Sequence, residues 1–328
     1  MKAIIRGTGS YLPEKVLTNE DLERMVDTSD EWITTRTGIK ERRICPENMA
    51  SSDMGERACR AALENAGISP GDVDGIITAT ITPDVFFPST ACLIQQKLEI
   101  DDIPCFDISA ACSGFVYGLE IARTLLSGGA YRTLLVVATE CMSRITDYTD
   151  RGTCVLLGDG AGGAVVEAVD DEEGGILGSY LSASGKYERL LYMPGGGSRC
   201  PATHDSVEKR LHYMKMEGNA LFRVAIQAMA DSVRAVLKKF DVKKDDVAMV
   251  VPHQANLRII KGVARNLGIP MERFMVNIHK YGNMSAACVP IALDECAREG
   301  RIRKNDYVVT ASFGGGLTWG SNLIQWTK

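Results

Sequence analysis

Nearly continuous apolar runs predict three strands, at residues 75–80, 133–138 and 247–251. Such runs are typical of strands that are covered on both faces of a sheet. Between them, apolar residues recur at the three- and four-residue spacing of an amphipathic helix, most clearly over residues 218–240. A further helix is expected from Ser51, in a Ser-Ser-Asp cap, to Ala66, where Gly67 ends it. This alternation of strands and helices indicates an α/β fold with parallel strands.

A four-residue motif occurs twice in the chain. Residues 109–112, Ser-Ala-Ala-Cys, are repeated at residues 285–288, which lie 176 positions later. Each copy precedes an apolar helical stretch, a glycine and a strand, and these strands begin near Leu134 and Val308. A match that keeps the order of several elements indicates an internal duplication.

The duplication predicts two halves, residues 1–172 and residues 173–328. They would meet at the polar segment 170–175, and no segment has the composition of a flexible linker. We therefore expect the halves to share one core. A pocket where two halves meet is the expected site of a ligand.

Composition and charge narrow the class of protein. The chain has 328 residues, of which 45% are hydrophobic and 24% charged, as in a globular protein rather than a disordered one or a coiled coil. Its formal net charge of −5 gives no support for nucleic-acid binding. The first apolar run, residues 1–7, is short for a signal peptide, and no run approaches the roughly 18 apolar residues that span a bilayer. We expect a cytoplasmic protein that does not enter a membrane.

The ten cysteines fit a reducing compartment if they are free thiols. None forms a Cys-x-x-Cys pair, and with only four histidines the local spacing predicts no metal site. Most of the cysteines stand in apolar surroundings, where a small buried side chain is the expected role.

Cys112 is the first candidate for chemistry. It lies between an expected strand at residues 106–108 and a helix expected from about Gly114 to Leu126. At a helix N-terminus, exposed amides and the helix dipole are expected to stabilise a thiolate, which is the nucleophilic form. The same position also suits a buried structural cysteine, so the residue alone leaves both interpretations open.

Three other positions can cooperate with such a nucleophile. His253 directly follows the strand at 247–251, at the edge where α/β sheets present functional groups, and Asn283 lies in a loop before a helix. Alone, each is more typical of a packing histidine and of a turn or N-cap residue. The glycine-rich segment 313–320 lacks the Lys-Ser/Thr of a Walker A loop, so it is either a tight turn or a source of amides for an oxyanion.

Together these residues resemble the β-ketoacyl-acyl-carrier-protein synthase III family. Further matches are residues 31–39, Glu-Trp-Ile-Thr-Thr-Arg-Thr-Gly-Ile, and residues 159–162, Asp-Gly-Ala-Gly. The resemblance covers essentially the whole chain. It implies a thiolase-like α/β fold, in which two duplicated halves form an αβαβα core, and a homodimer. Cys112 of the first half and His253 and Asn283 of the second are then the expected catalytic residues.

The resemblance also implies a mechanism that starts fatty-acid synthesis. An acyl group, with acetyl as the expected primer, moves from acyl-CoA to Cys112, while the amides of Cys112 and Gly315 hold the oxyanion. His253 and Asn283 then stabilise the enolate that forms when malonyl-acyl carrier protein loses CO₂. The enolate attacks the acyl-Cys112 thioester and gives a β-ketoacyl product in two half-reactions. No metal or other cofactor is expected, since acyl-CoA is a substrate.

Two groups of residues are expected to bind the substrates. The residues that match the family's CoA site are Trp32, Arg36, Arg151, Asn219 and Asn256. The residues that match its carrier-protein surface are Arg223, Arg258, Lys261 and Arg265. Three of the latter share one face of the helix after His253, and a basic face suits an acidic carrier protein. A solvated helix face explains the same spacing equally well.

Some positions depart from the family pattern. Met284 stands where threonine is common, and Leu157 and Glu217 replace an aromatic and a small residue. Phe87 resembles the residue that closes the acyl pocket from across the dimer interface. These positions leave the length and branching of the primer open.

Three alternatives remain. The first is a starter synthase of secondary metabolism with the same fold and a different acyl donor or acceptor. The second is a papain-like cysteine hydrolase, which also uses Cys, His and Asn, but its Cys-Gly-Ser-Cys-Trp signature is absent from the sequence. The third is a non-catalytic acyl-binding protein, against which the intact set of Cys112, His253 and Asn283 argues.

Overall fold

The computed structural model of the chain describes residues 1–170 and 173–328. Its strands are β1 Lys2–Tyr11, β2 Val16–Thr18, β3 Glu41–Arg43, β4 Gly75–Ala79, β5 Cys105–Ile108, β6 Thr133–Cys141, β7 Asp159–Val169, β8 Gly175–Ala183, β9 Leu191–Tyr192, β10 Lys215–Met216, β11 Val247–Pro252, β12 Tyr307–Gly314 and β13 Thr318–Gln325. Its α-helices are α1 Asn19–Glu23, α2 Asp30–Thr37, α3 Ser51–Ala66, α4 Thr90–Lys97, α5 Gly114–Ser127, α6 Arg151–Cys154, α7 His204–Glu208, α8 Gly218–Lys239, α9 Leu257–Leu267, α10 Ile278–Tyr281 and α11 Cys288–Arg298. The three strands predicted from apolar runs are confirmed as β4, β6 and β11, and the predicted helices as α3, α5 and α8.

Two main sheets organise the fold. The first has the order β1-β7-β6-β4-β5, and the second has the order β11-β12-β13-β8. In each sheet, strands of both directions occur: β4 runs parallel to β5 and β6, whereas β7 runs antiparallel to β6 and β1. The expectation of parallel strands is therefore wrong for one strand in each sheet, β7 in the first and β13 in the second, and it holds for the others. An apolar run indicates that both faces of a strand are buried, and this is possible whether the strand runs parallel or antiparallel to its neighbours.

The helices complete five layers. The middle layer consists of α5 and α11, which contact strands of both sheets. Helix α3 packs on the outer face of the first sheet, and α8 and α9 pack on the outer face of the second. In α11, residues 288–296 are all buried, as a helix between two sheets requires. The αβαβα core that the resemblance implied is confirmed.

The two halves repeat one another in a register that differs from the sequence motif. Ala111 and Ser285 both have left-handed backbone, with φ of 44° and 49°, and each opens a short 3-10 turn before α5 or α11. These residues are 174 positions apart, as are the starts of β6 and β12. The four-letter repeat at 176 is thus two residues out of register, and the position equivalent to Cys112 in the second half is Ala286. The proposed boundary at residue 172 and part of the segment 170–175 lie outside the described residues.

Helix α3 begins at Ser51 as predicted, and of the three predicted capping residues only Asp53 acts as the cap. Its cap is the carboxylate of Asp53, which accepts the N–H of Ala50 at 2.7 Å. Ser51 and Ser52 instead hold the loop after β4, where Ser51 Oγ donates to the carbonyl of Thr82 at 2.6 Å. Gly67, with φ of 71°, ends the helix as expected. Within the two described ranges, no helix is long and apolar enough to cross a membrane.

Candidate active site

Cys112 lies in the 3-10 turn that joins β5 to α5. Its carbonyl accepts a hydrogen bond from Ser312 Oγ at 2.6 Å, so β12 of the second half holds the turn directly. Gly314 comes so close that a Cβ atom there would lie 2.5 Å from the backbone nitrogen of Cys112. Only glycine allows this approach. Residues of both halves therefore hold Cys112 in position.

The thiol of Cys112 differs from the sequence-based expectation. Although it precedes α5, its side chain is buried, and burial raises the pKa of Cys112 to about 12. This direction is opposite to the resting thiolate expected at the helix N-terminus, because the desolvation of the charged form outweighs the hydrogen bonds that favour it.

His253 and Asn283 reach the same cavity from separate elements of the second half. The N–H of His253, just after β11, donates to the carbonyl of Ala311 at 2.8 Å. Burial lowers the pKa of His253 to about 3, so the imidazole is neutral. The side-chain Oδ1 of Asn283 accepts the N–H of Ser285 at 2.9 Å. With Oδ1 occupied in this way, Nδ2 is the atom of this amide that can donate to a bound molecule.

The glycine-rich segment after β12 forms one wall of the cavity. Gly315 and Gly316 both line it, and Gly316 has φ of 129°. Thr318 Oγ1 donates to the carbonyl of Ala110 at 2.7 Å, which ties this wall to the nucleophile turn. Cys112 and Gly315 both line this cavity, so the two residues expected to form the oxyanion hole lie on one cavity. The sequence analysis missed Thr318 and Ser312, since a hydroxyl beside a glycine-rich loop gives no specific signal.

One cavity of about 660 Å³ brings most of the predicted residues together. The predicted residues that line it are Trp32, Arg36, Cys112, Asn219, His253, Asn256, Arg258, Asn283 and Gly315. The predicted residues that lie outside its lining are Phe87, Arg151, Arg223, Lys261 and Arg265. The sequence analysis also missed an apolar, methionine-rich part of the lining, formed by Ile81, Met142, Met193, Met214, Met216 and Leu221.

The outer part of the cavity carries an aromatic and cationic group. Trp32 is 37% exposed, and the guanidinium of Arg151 lies over its ring, 5.1 Å from the ring centre. We call this outer part, formed by Trp32 and Arg151, the mouth of the cavity, although Arg151 itself does not line the cavity. Asn256 caps α9 and donates from Nδ2 to the carbonyl of Arg36 at 3.1 Å. Asn256 therefore joins α2 to α9, in addition to any contact it makes with a ligand.

A basic surface lies beside this mouth. Arg258, Lys261 and Arg265 are exposed on one face of α9, while the residues between them, such as Ile260 and Val263, are buried. Arg223 is exposed on the adjacent helix α8. The predicted helix face is confirmed as a geometric feature, and its partner stays a prediction.

Phe87 lies away from the cavity of its own chain. Its side chain is 86% exposed and that of Phe86 is 83% exposed, in the loop between β4 and α4. Among the residues that the structure describes, no group of three or more His, Cys, Asp or Glu side chains is placed to hold a metal ion.

Comparisons with known proteins identify the family of the chain. The family model described as 3-oxoacyl-[acyl-carrier-protein (ACP)] synthase III matches residues 106–185, and the model of its C-terminal part matches residues 237–326. The chain is 53% identical over 324 residues to a beta-ketoacyl-[acyl-carrier-protein] synthase III of Caldanaerobacter subterraneus subsp. tengcongensis, a match that covers 99% of this chain and 98% of the relative.

Two solved structures are similar along their full length. The 3-oxoacyl-[acyl-carrier-protein] synthase III of Aquifex aeolicus is 48% identical, with a TM-score of 0.91, covering 99% of this chain and 100% of that one. The priming beta-ketosynthase of the R1128 polyketide pathway is 34% identical, with a TM-score of 0.91, covering 99% and 97%.

Proposed function

Because the chain belongs to the 3-oxoacyl-[acyl-carrier-protein] synthase III family, we propose that it starts fatty-acid synthesis as an acyl-transferring condensing enzyme. It transfers an acyl group, with acetyl as the proposed primer, from acyl-CoA to Cys112. It then condenses this group with malonyl-acyl carrier protein. The observation that carries the proposal is the meeting of Cys112, His253 and Asn283 in one cavity. The higher identity to the fatty-acid enzymes than to the polyketide enzyme favours this function over a starter synthase of secondary metabolism.

The first half-reaction forms a thioester on Cys112. The sulfur attacks the carbonyl carbon of acyl-CoA, and the amides of Cys112 and Gly315 donate to the oxyanion of the tetrahedral intermediate. The bond to the CoA sulfur then breaks. The apolar part of the cavity, which includes Met142 and Met214, offers space for the acyl chain without polar groups that would be left unpaired.

The second half-reaction uses the neutral state of His253. A malonyl thioester loses CO₂, and its carbonyl oxygen gains negative charge as the enolate forms. An N–H of the imidazole and Nδ2 of Asn283 donate to this oxygen. Because burial holds the pKa of the His253 imidazolium far below 7, the ring stays neutral, and a neutral imidazole donates a hydrogen bond without transferring a proton to the enolate. The enolate carbon attacks the thioester and releases Cys112. These steps involve no change of redox state, and we propose no cofactor.

We propose that the mouth binds CoA and that α9 binds the carrier protein. Trp32 and the stacked guanidinium of Arg151 present a flat face and positive charge, which suit an adenine ring and its phosphates. Arg36, Asn219 and Asn256 continue inward toward Cys112. The exposed cations of α9 and Arg223 would attract an acidic carrier protein to the same opening.

We propose that the active form is a homodimer in the cytoplasm. Strand β5 is at the edge of the first sheet, and Phe106 on it is 38% exposed. Phe86 and Phe87 lie exposed in the preceding loop, and exposed aromatic residues beside an open edge strand are typical of an interface. In a dimer, Phe87 could close the partner's acyl pocket. Analytical ultracentrifugation measures the oligomeric state, and a protein that sediments as a monomer and is fully active would contradict the dimer.

The ten free cysteines fit a reducing compartment, which supports the cytoplasm.

The experiment that tests the reaction separates its two halves. Purified protein is incubated with radiolabelled acetyl-CoA and then with malonyl-acyl carrier protein. Wild type and His253→Ala should both take up label, Cys112→Ala should not, and only wild type should release labelled acetoacetyl-carrier protein. Cys59→Ala and His279→Ala are matched controls, since Cys59 is buried outside the cavity and His279 does not line it.

Each contrary result has a specific meaning. Label that persists in Cys112→Ala refutes the nucleophile. If branched or longer acyl-CoA labels the protein and acetyl-CoA does not, the mechanism stands and the primer is different. If no acyl-CoA labels the wild type, the condensing function fails and an acyl-binding role replaces it.

A further inference from the structure

A fully buried arginine lies beneath the mouth and has no part in the steps above. Arg42, in β3, is 0% exposed. Among the residues that the structure describes, its guanidinium donates only to neutral oxygens: the carbonyl of Leu17 at 3.1 Å, Oδ1 of Asn19 at 2.9 Å and the carbonyl of Val155 at 2.8 Å. Burial lowers the pKa of Arg42 to about 10, so it keeps its charge at neutral pH. Burying a charge without an opposite charge costs stability, so this residue calls for a role beyond packing.

The three oxygens that Arg42 binds belong to separate segments of the chain. Leu17 lies in β2, Asn19 begins α1, and Val155 follows directly on α6. Nη2 donates to Asn19 and to Val155 while Nη1 donates to Leu17, an arrangement that the fixed fork of a guanidinium allows. Arg42 therefore ties the end of α6 to the start of α1.

Asn19 extends this network to α2. Its Nδ2 donates to Asp30 Oδ1 at 2.7 Å, to the carbonyl of Ile39 at 2.8 Å and to Thr34 Oγ1 at 3.3 Å. Asp30 and Thr34 stand on either side of Trp32 in the sequence of α2, and Ile39 follows the helix. Asn19 is itself buried, so the bonds that fix α2 are shielded from water.

The two ends of this network carry the two parts of the mouth. Trp32 lies on α2 and Arg151 on α6, and the guanidinium of Arg151 is 5.1 Å from the centre of the indole ring. Helix α2 has eight residues and α6 has four, and helices this short have little stability of their own. A small apolar cluster that includes Ile33 and Cys154 also joins the two helices. Apolar contacts are non-directional, so they do not by themselves set the angle between the helices.

We propose that Arg42, acting through Asn19, is a positioning residue that holds Trp32 and Arg151 at the spacing which receives the nucleotide end of CoA, an inference that rests on the function proposed above. Neither Arg42 nor Asn19 lines the cavity, so neither touches the substrate. The network holds the two helices at one separation before the substrate arrives, and no binding energy is then used to order them. Arg42 thereby acts on the affinity for CoA and not on the chemistry at Cys112.

This role predicts a selective defect. Loss of the network lets α2 and α6 move apart, so the nucleotide loses its site while the acyl and pantetheine parts of the donor still reach Cys112. A purely structural role would instead lower the amount of folded protein and slow every acyl donor alike. Acetyl-CoA and acetyl-pantetheine separate the two cases, because acetyl-pantetheine lacks the nucleotide.

The variants break the network at two points. Arg42→Met removes the guanidinium and keeps an unbranched apolar stem. Asn19→Asp keeps the oxygen that accepts from Arg42 and replaces the amide that donates to α2 with a second oxygen. Arg43→Met is the matched control on the same strand, because Arg43 donates to the carbonyl of Pro13 and pairs with Glu41, outside α2 and α6.

The test follows the loading of Cys112 on the full chain by rapid quench, from acetyl-CoA and from acetyl-pantetheine, and measures Kd for CoA by calorimetry. Loading is followed apart from condensation, because residues 156–158 pair with Asn283, which acts in the second half-reaction.

In Arg42→Met and Asn19→Asp we expect KM for acetyl-CoA and Kd for CoA to rise at least tenfold. The loading rate at saturation, the label per chain and kcat/KM for acetyl-pantetheine should stay within threefold of wild type, and Arg43→Met should match wild type throughout. Adding Trp32→Ala to Arg42→Met should raise KM for acetyl-CoA by less than a further threefold, since the ring has already left its place.

Two results would overturn the proposal. One is a ratio of kcat/KM for acetyl-CoA to that for acetyl-pantetheine that stays within threefold of wild type in either variant. The other is a Trp32→Ala effect that is undiminished when Arg42 or Asn19 is also changed. If Arg42→Met does not fold, Asn19→Asp decides by the same criteria. If no acyl donor loads the wild type, the condensing function fails, and Kd for CoA then decides the role of Arg42 on its own.

Discussion

The close approach of β12 to the nucleophile gives a sharp prediction for Gly314→Ala. The added Cβ would lie 2.5 Å from the nitrogen of Cys112 and 3.1 Å from its Cα. An ordinary contact is about 3.4 Å or longer, so the nucleophile turn and β12 must move apart by about 0.9 Å. A displacement of about 1 Å at a reacting centre can cost about 100-fold in rate. We therefore expect acyl loading to slow about 100-fold, because the sulfur and the Cys112 amide both leave their places.

The assay follows label transfer from acetyl-CoA to Cys112 by rapid quench, alongside thermal unfolding. Overpacking at this position should also lower the stability, by about 1–3 kcal/mol. Gly71→Ala is the matched control, because Gly71 has ample space, with Ser69 Oγ 3.8 Å from the Cβ position. If Gly314→Ala loads within threefold of wild type and keeps its melting temperature, the turn is not held by this contact and the reasoning is refuted.

Three further predictions concern the mouth, the basic surface and an ion pair. Trp32→Ala should raise KM for acetyl-CoA about tenfold with kcat unchanged, as expected for losing a stacked ring worth about 1–3 kcal/mol, while acetyl-pantetheine, which has no adenine, should react as before. Lys261→Glu with Arg265→Glu should raise KM for malonyl-acyl carrier protein and weaken its salt dependence, and an unchanged KM would remove α9 from the docking surface. Arg210 lowers the pKa of Asp147, so the pair stabilises the fold above the unfolded pKa of about 3.9, and this stabilisation is lost as the pH falls toward the lower folded pKa. Arg210→Ala should therefore show a smaller loss of melting temperature than wild type between pH 7 and pH 3, and an equal loss would contradict the linkage.

The candidate residues of the site could be found from the sequence because Cys112, His253 and Asn283 together resemble a known family, whereas the local signal of each residue alone left its role open. Cys112 lies between a strand and a helix, and His253 follows an apolar run at a strand end. These positions depend on the order of local elements, which hydrophobic periodicity reports well. The basic face of α9 follows from residue spacing alone, as does the burial of the residues between its cations.

Other features depend on segments that lie far apart in the chain. The left-handed residues Ala111 and Ser285 show that the two halves are related by 174 positions, whereas the repeated sequence motif implies 176 positions. The reversed direction of β7 and of β13 also escaped prediction, because an apolar run has the same pattern whichever way its strand runs. The pKa of Cys112 depends on how fully the second half covers it, and no local pattern contains that information.

The sequence by itself determined the elements, the alternation that produces a layered α/β core, and the candidates for the reacting groups. Only the tertiary structure decided that Gly314 packs closely against Cys112 and that Phe87 lies away from the cavity of its own chain. The physical reason is that local propensity acts over a few residues, whereas desolvation and close packing arise between residues that only the folded chain brings together.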